Sequence, residues 1–212
     1  ITDVWSHSKK PFAINSNNFT TNIYANATLH VPYGMKSVYE DTDGWMNFAH
    51  IVDDIEASTL TAEELSICLG YTRDLVVGLS NNEEIDGVQF DLTLPDGISI
   101  ATDKNGEYIV ETTDRSKRLY TECEKLGDHL YRIILMSTKR YTIAPGDGGI
   151  IKIRLACDLD AIPGNYDMAF TSVILSRQEG SVSVREPNED FASRLTVNKE
   201  STIRGDVNGD YE

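Results

Sequence analysis

Apolar and polar residues alternate in short runs along most of the chain beyond residue 61. In one run, Val88, Phe90 and Leu92 fall on one face of an extended strand, while Gln89 and Asp91 fall on the other. The runs with this pattern are 65–69, 75–79, 88–94, 108–110, 130–136, 150–155, 168–175, 182–184 and 195–197. Turns rich in Pro, Gly and Asn separate them, and no helical period intervenes. Strands of this length and spacing predict a mainly β fold, a sandwich or a barrel.

The first 53 residues show a different pattern. Leu29 and Val31 alternate with polar neighbours as in a short strand, which Pro32 ends. Apolar residues at helical spacing follow within 35–39, and a second short helix is expected after Gly44, with residues as far as Val52 facing inward. We therefore predict a small α+β unit. It is too short to bury a large core of its own.

The pattern divides the chain into four parts. A stretch of acidic and small residues, 54–61, separates the two patterns and is expected to be a linker. The predicted parts are the opening unit 1–53, the linker 54–61, the β-sandwich 62–198 and a polar end 199–212.

Composition narrows the functions that the chain can have. Its 212 residues include 34 acids and 19 bases, and the formal net charge is −15. Nucleic acids and anionic membrane surfaces are disfavoured partners, because proteins bind both of them mainly through Lys and Arg side chains. No apolar stretch is long enough to span a bilayer, and no charged-then-apolar leader opens the chain. We therefore expect a mature secreted product, or a piece of one, without membrane insertion.

The three cysteines, Cys68, Cys123 and Cys157, do not form a disulfide framework or a zinc motif. Free cysteine is among the most frequently buried residue types, so small buried side chains are the expected outcome. One disulfide with three alternative pairings stays open, and the cysteine count does not fix the compartment.

The sequence lacks several patterns that are typical of enzyme active sites. It contains no G-x-S-x-G, H-E-x-x-H, phosphate-loop or G-x-G-x-x-G pattern. Isolated histidines are usually surface residues, and acid pairs arise by chance among so many carboxylates. The residues considered are His7, His30, His50 and His129, with the acid pairs 53/54, 83/84, 122/124 and 158/160. We predict no catalytic residue and no enzyme activity.

Two basic clusters interrupt the acidic background, at residues 115–118 and 139–140. They are expected to be loop charges, with a patch for an acidic partner as the alternative. Ten tyrosines and two tryptophans leave stacking against glycans open, although packing in the core is the commoner fate of such rings.

The segment 27–36, followed by Tyr39, Asp43-Gly44-Trp45 and residues 47–52, resembles the last repeat and cap of BspA-like leucine-rich repeat proteins. His30 stands where tyrosine is usual in that family. The resemblance implies strands that recur about every two dozen residues, with an earlier repeat in residues 1–19. Because a solenoid generally needs three or more repeats, it also implies further repeats before Ile1.

Residues 62–198 resemble the cohesin-like β-sandwich, a jelly-roll fold. The matching positions are Gly70, Thr72, 75–79, Asn81-Asn82, 86–92, 130–136, 148–153 and 164–166. Val88 occupies a position where the family often has an aromatic residue. The resemblance implies an antiparallel β-sandwich whose role is recognition or assembly.

The last nine residues carry oxygen donors at alternate positions, as a Ca²⁺-binding loop requires. They resemble the opening of a dockerin calcium loop, which implies side-chain ligands at Asp206, Asn208 and Asp210 and a backbone carbonyl ligand at Glu212. Tyr211 departs from the usual glycine, and the chain stops before the twelfth-position carboxylate. We therefore expect Ca²⁺ only in a longer protein, and a polar tail without metal in this chain.

Together these features predict a non-catalytic recognition or assembly module of a bacterial secreted or cell-surface multidomain protein. Its expected partner is an extracellular protein or a glycan. The alternatives are a carbohydrate-binding module attached to polysaccharide-degrading machinery, which requires a row of exposed rings or a calcium-supported groove, and a hydrolase with two facing carboxylates. A spacer that only holds the repeats away from the cell is the third alternative.

Overall fold

The structure is a computed structural model that describes residues 1–56, 58–179 and 182–199. The chain forms two compact units, Ile1–Ala57 and Ser58–Glu212. Strands dominate, so the predicted mainly β class is confirmed. In the described ranges, no helix is both long and apolar enough to cross a membrane.

The first unit is built on a parallel sheet of three strands. The strands are β1 (Asp3–Trp5), β2 (Thr28–Pro32) and β3 (His50–Ile55), and the connections contain α1 (Thr21–Asn26), α2 (Lys36–Glu40) and a 3₁₀ turn (Trp45–Asn47). Parallel strands need such crossover connections. In the register of β1 and β2, Asp3 lies opposite Thr28 and Trp5 lies opposite His30. On the other side of β2, His30 lies opposite Val52 of β3.

A small aromatic core holds this unit together. Leu29, Val31 and Tyr39 are fully buried, and the Tyr39 hydroxyl donates a hydrogen bond of 2.8 Å to the Ser8 carbonyl oxygen. The predicted strand and the helical turn at 35–39 are therefore present. The second helix predicted after Gly44 is only a 3₁₀ turn. The chain beyond it forms β3, which pairs with β2. Val52 is therefore exposed, and the prediction that it faces inward is wrong. The relation to leucine-rich repeats stays a prediction.

The second unit contains twelve described strands. In chain order they are β4 (Thr59–Ala62), β5 (Leu65–Cys68), β6 (Thr72–Ser80), β7 (Ile85–Thr93), β8 (Ile98–Ile100), β9 (Val110–Thr112), β10 (Tyr120–Gly127), β11 (Leu130–Met136), β12 (Gly149–Cys157), β13 (Gly164–Glu179), β14 (Val182–Pro187) and β15 (Phe191–Asn198).

These strands form two sheets. The larger has the order β10-β11-β7-β13-β15-β5, with β14 paired to β13, and the smaller has the order β4-β6-β12-β8, with β9 paired to β12. The pairs are antiparallel except for β15 with β5. Val88, Phe90 and Leu92 are buried in the hydrophobic core, as their alternation predicted. The antiparallel sandwich is confirmed.

The linker expected at 54–61 is shorter than predicted. Asp54 and Ile55 belong to β3, and β4 begins at Thr59. Ile55 in β3 and Leu60 in β4 are both buried. Burial of these apolar side chains favours strand structure at both ends of the acidic stretch, which shortens the linker.

Candidate interaction face of the larger sheet

Four adjacent strands of the larger sheet present a regular outer surface. Residues that lie directly opposite each other on neighbouring strands point to the same side of a sheet. The outward residues of β10, β11, β7 and β13 fall in three rows, Tyr120–Met136–Gly87–Ser176, Glu122–Ile134–Gln89–Ile174 and Glu124–Arg132–Asp91–Thr171. We call this surface the four-strand face.

The centre of the four-strand face is apolar. Ile134, Met136 and Ile174 are partly exposed, and the Tyr120 side chain at the edge is 37% exposed. Gly87 adds no side chain between Met136 and the next strand. Apolar residues on the outward positions of a sheet gain nothing from the core. A cluster of them on one face makes this surface a candidate for contact with another molecule.

A β-bulge in β13 determines which residues reach this face. Ser172 and Val173 together oppose a single residue of β7, and Ser172 has a φ of 52°. Strict alternation after Thr171 would have turned Val173 outward and Ile174 into the core. The extra residue reverses this, so Val173 is buried and Ile174 joins the apolar centre.

Charged residues lie along one end and one edge of the four-strand face. Arg132 Nε and Nη2 donate hydrogen bonds of 2.7 and 2.8 Å to the two carboxylate oxygens of Asp91. The Asp91 side chain is only 9% exposed, and these bonds raise the pKa of Arg132. Glu122 and Glu124 are exposed on the edge strand β10. The face therefore combines an apolar centre with an acidic edge.

Arg115 has a structural role that the sequence did not reveal. Its guanidinium donates to the carbonyl oxygens of Ala144, Gly146 and Gly148, at 3.2, 2.6 and 3.1 Å. It also contacts the Leu79 carbonyl and the Asn81 side chain. Arg115 is therefore part of the fold and not of a patch for an acidic partner.

The structure does not test the predicted calcium site. The calcium ligands Asp206, Asn208, Asp210 and Glu212 lie outside the described residues, so the dockerin-like loop stays a prediction. Among the residues that the structure describes, no three or more His, Cys, Asp or Glu side chains are arranged to hold a metal ion. His129 lies 3.3 Å from Asp96 at an exposed turn.

Two of the cysteines behave as predicted for small buried side chains. Cys157 is buried and Cys123 packs against the core, and burial raises the pKa of the Cys123 thiol to about 12. Burial also raises the pKa of Cys157. Thiols with raised pKa values are poor nucleophiles.

Exposed rings on the second unit are scattered. Tyr71 lies between β5 and β6, Tyr120 begins β10, and Tyr141 lies in the loop after β11. They belong to three separate segments and form no stacked pair with one another in the described structure.

The architecture defines a cohesin-like β-sandwich. The fold is similar to the seventh ScaB type I cohesin of Pseudobacteroides cellulosolvens, with a TM-score of 0.55 and 13% identity over 69% of this chain and 95% of the cohesin. It is also similar to a non-cellulosomal cohesin of Archaeoglobus fulgidus, with a TM-score of 0.52 and 10% identity over 68% of this chain and 93% of that one.

A third similar structure is the cohesin–dockerin complex Coh-OlpA–Doc918 of Clostridium thermocellum. The TM-score is 0.53 and the identity is 12% over 67% of this chain and 99% of that chain. No protein-family model and no curated protein matches the sequence. At these identities the likeness establishes the fold, and the predicted cohesin-like sandwich is confirmed.

Proposed function

We propose that this chain is a non-catalytic assembly module that binds a partner protein through the four-strand face. The observation that carries the proposal is the apolar centre formed by Ile134, Met136 and Ile174 on the outward side of an antiparallel sheet. Protein interfaces commonly place apolar residues at the centre and polar residues at the rim.

The charges around this centre favour a particular kind of partner. Glu122 and Glu124 lie beside the apolar residues, whereas Arg132 is engaged by Asp91. A complementary partner therefore presents an apolar stripe flanked by Lys or Arg on the side that meets β10.

A dockerin module is the partner that the comparison with known structures favours. The similar Clostridium thermocellum cohesin was determined in complex with a dockerin. The proposal places the chain in an extracellular or cell-surface bacterial assembly, with the first unit as the end of a leucine-rich repeat array. A glycan partner stays a prediction without a site in the described structure.

Surface plasmon resonance tests this function with the dockerin modules encoded in the same genome as the chain. We expect at least one of them to bind saturably, and Ile134→Glu to weaken that binding at least 30-fold, as expected for a residue at the centre of an interface. Val76→Glu is the matched control, because Val76 is a partly exposed apolar residue on the outward side of the smaller sheet. Binding that survives Ile134→Glu, or no binding at all, contradicts the proposal.

A further inference from the structure

Two loops of the second unit place four basic side chains beyond one end of the four-strand face. The loop before β10 carries Lys117 and Arg118, and the loop after β11 carries Lys139 and Arg140. All four residues are exposed. Because β10 and β11 are paired strands, the loops that continue them lie side by side. We call these four residues the two-loop basic patch.

A cation–π contact joins the two loops. The Arg118 Cζ atom lies 4.9 Å from the centre of the Tyr141 ring. Ser137 Oγ accepts hydrogen bonds from the backbone N–H groups of Lys139 at 3.2 Å and Tyr141 at 2.9 Å, which closes the second loop into a turn. Leu119 is buried and anchors the first loop directly after Arg118. Contacts within the fold therefore hold the backbone that carries the charges, and a preformed site loses less entropy on binding.

No acid neutralises the four bases within the described part of the chain. There, none of them takes part in an ion pair, whereas Arg132, Arg154 and Arg177 each lie beside a carboxylate. The sequence contains no acid between Arg132 and Asp147. The patch is therefore a local region of positive charge on a chain whose formal net charge is −15, and it attracts groups of opposite charge.

Arg140 keeps its charge at a position that disfavours a residue with a Cβ atom. Its φ is 56°, in a region where glycine and asparagine are the usual residues. Residues held in such conformations cluster at binding sites and other functional sites. The backbone cost at this turn is consistent with a role for the Arg140 side chain outside the fold.

Acidic residues flank the patch and limit the size of its ligand. Asp114 precedes the bases of the first loop, and Glu122 and Glu124 follow them on β10. A long polyanion such as a nucleic acid would extend over these carboxylates and be repelled, whereas a short acidic segment would not. A carboxylated glycan is less favoured, because Arg118 lies over the ring of Tyr141, the only aromatic residue within 113–119 and 137–142.

We propose that the two-loop basic patch binds a short acidic segment of a partner protein. Ionised carboxylates only accept hydrogen bonds, and Lys and Arg side chains only donate them, so the two sets of groups are complementary. The patch continues β10 and β11, so one partner can contact it together with the apolar centre of the four-strand face. The two loops alone carry this inference, which does not depend on the function proposed for that face.

Fluorescence anisotropy at low salt tests the proposal with a labelled, amidated hexaglutamate peptide. The control is the hexaglutamine peptide, which has nearly the same shape without charge. We expect saturable binding of hexaglutamate and none of hexaglutamine. In nuclear magnetic resonance spectra, the backbone amide signals of residues 117–118 and 138–141 should shift on binding. Those of the exposed turn 103–106, which contains another lysine, should not.

Neutralising variants show whether the peptide binds at this site. Lys139→Gln combined with Arg140→Asn removes two charges, and asparagine tolerates the φ at position 140. Each exposed ion pair contributes a factor of roughly 1.4 to 5 to the affinity, so this variant should bind about 2- to 10-fold more weakly. Lys104→Gln combined with Lys152→Gln is the matched control. It removes the same charge from exposed positions between β8 and β9 and on β12, and it should leave the affinity unchanged.

Three results would overturn the proposal. The first is equal binding, or no binding, of the hexaglutamate and hexaglutamine peptides. The second is an affinity for hexaglutamate that is the same in the patch variant and in the control variant. The third is binding of hexagalacturonate without binding of hexaglutamate, which would identify a site for carboxylated glycans instead.

Discussion

Arg132 and Asp91 form a two-point ion pair across β11 and β7, with donor–acceptor distances of 2.7 and 2.8 Å. The Asp91 side chain is almost completely buried, whereas the Arg132 side chain is 36% exposed. The pair therefore neutralises a carboxylate at one end of the four-strand face and links its two central strands.

Removing the arginine should destabilise the second unit. Arg132→Met keeps much of the aliphatic volume but leaves the Asp91 carboxylate without its cation in a poorly hydrated position. We expect a loss of about 2–3 kcal/mol in the free energy of unfolding, measured by denaturant titration followed by circular dichroism.

Arg154 and Asp74 provide a matched control. Their geometry is similar, at 2.7 and 3.1 Å, but the side chains are 40% and 38% exposed. Arg154→Met should cost about 1 kcal/mol or less, because water can solvate the remaining carboxylate. Equal losses in the two variants would mean that burial of Asp91 does not determine the strength of its pair.

The bulge at Ser172 should become more stable with glycine. Ser172 has a φ of 52°, which is sterically unfavourable for a residue with a Cβ atom. Glycine has no Cβ atom and adopts this φ without steric strain. Ser172→Gly should therefore raise the free energy of unfolding by up to about 1 kcal/mol, and Ser172→Val should lower it. Ala169→Gly, in the regular part of the same strand, should be destabilising. A loss of stability in Ser172→Gly would argue against the bulge.

Replacing Arg115 with lysine should destabilise the second unit. The guanidinium reaches carbonyl oxygens of Leu79, Ala144, Gly146 and Gly148, and an ammonium group has fewer donors in a different geometry. We expect Arg115→Lys to cost about 1–3 kcal/mol and to speed amide hydrogen exchange in residues 144–149. Arg118→Lys is the control, since Arg118 is exposed and lies over the Tyr141 ring. Similar exchange rates in both variants would contradict the role assigned to Arg115.

The first unit should lose stability as the pH rises. Partial burial lowers the pKa of His30, but the hydrogen bonds to Asp54 and Asp3 outweigh this effect. The pKa of His30 is therefore raised in the folded chain, so its contribution is complete below the ordinary value of 6.5 and disappears as the pH passes the folded-state pKa. Both tryptophans lie in this unit, so denaturant unfolding followed by tryptophan fluorescence between pH 5.5 and about 8.5 measures the effect. His30→Gln should remove this part of the pH dependence. An identical pH profile in the variant would show that His30 is not its source.

Local patterns predicted the faces of individual strands. Alternation in residues 88–94 correctly identified which side chains enter the core, because each side of an extended chain meets a uniform environment. The same reasoning found β2 and the helical turn that follows it.

Features that depend on the register between distant strands could not be predicted. The Arg132–Asp91 pair and the stacking of the Trp5 and His30 rings each require a particular alignment of strands that are far apart in sequence. The bulge at Ser172 has no glycine or proline to announce it, and without the bulge Ile174 would be assigned to the core. The apolar centre of the four-strand face was therefore missed.

Methyl nuclear magnetic resonance of the chain with a dockerin that binds it tests the central claim most directly. We predict that the methyl signals of Ile134, Met136 and Ile174 shift or broaden on binding, while that of Val76 on the opposite sheet stays unchanged. Binding that perturbs Val76 and leaves the three central residues unaffected would contradict the assignment of the four-strand face.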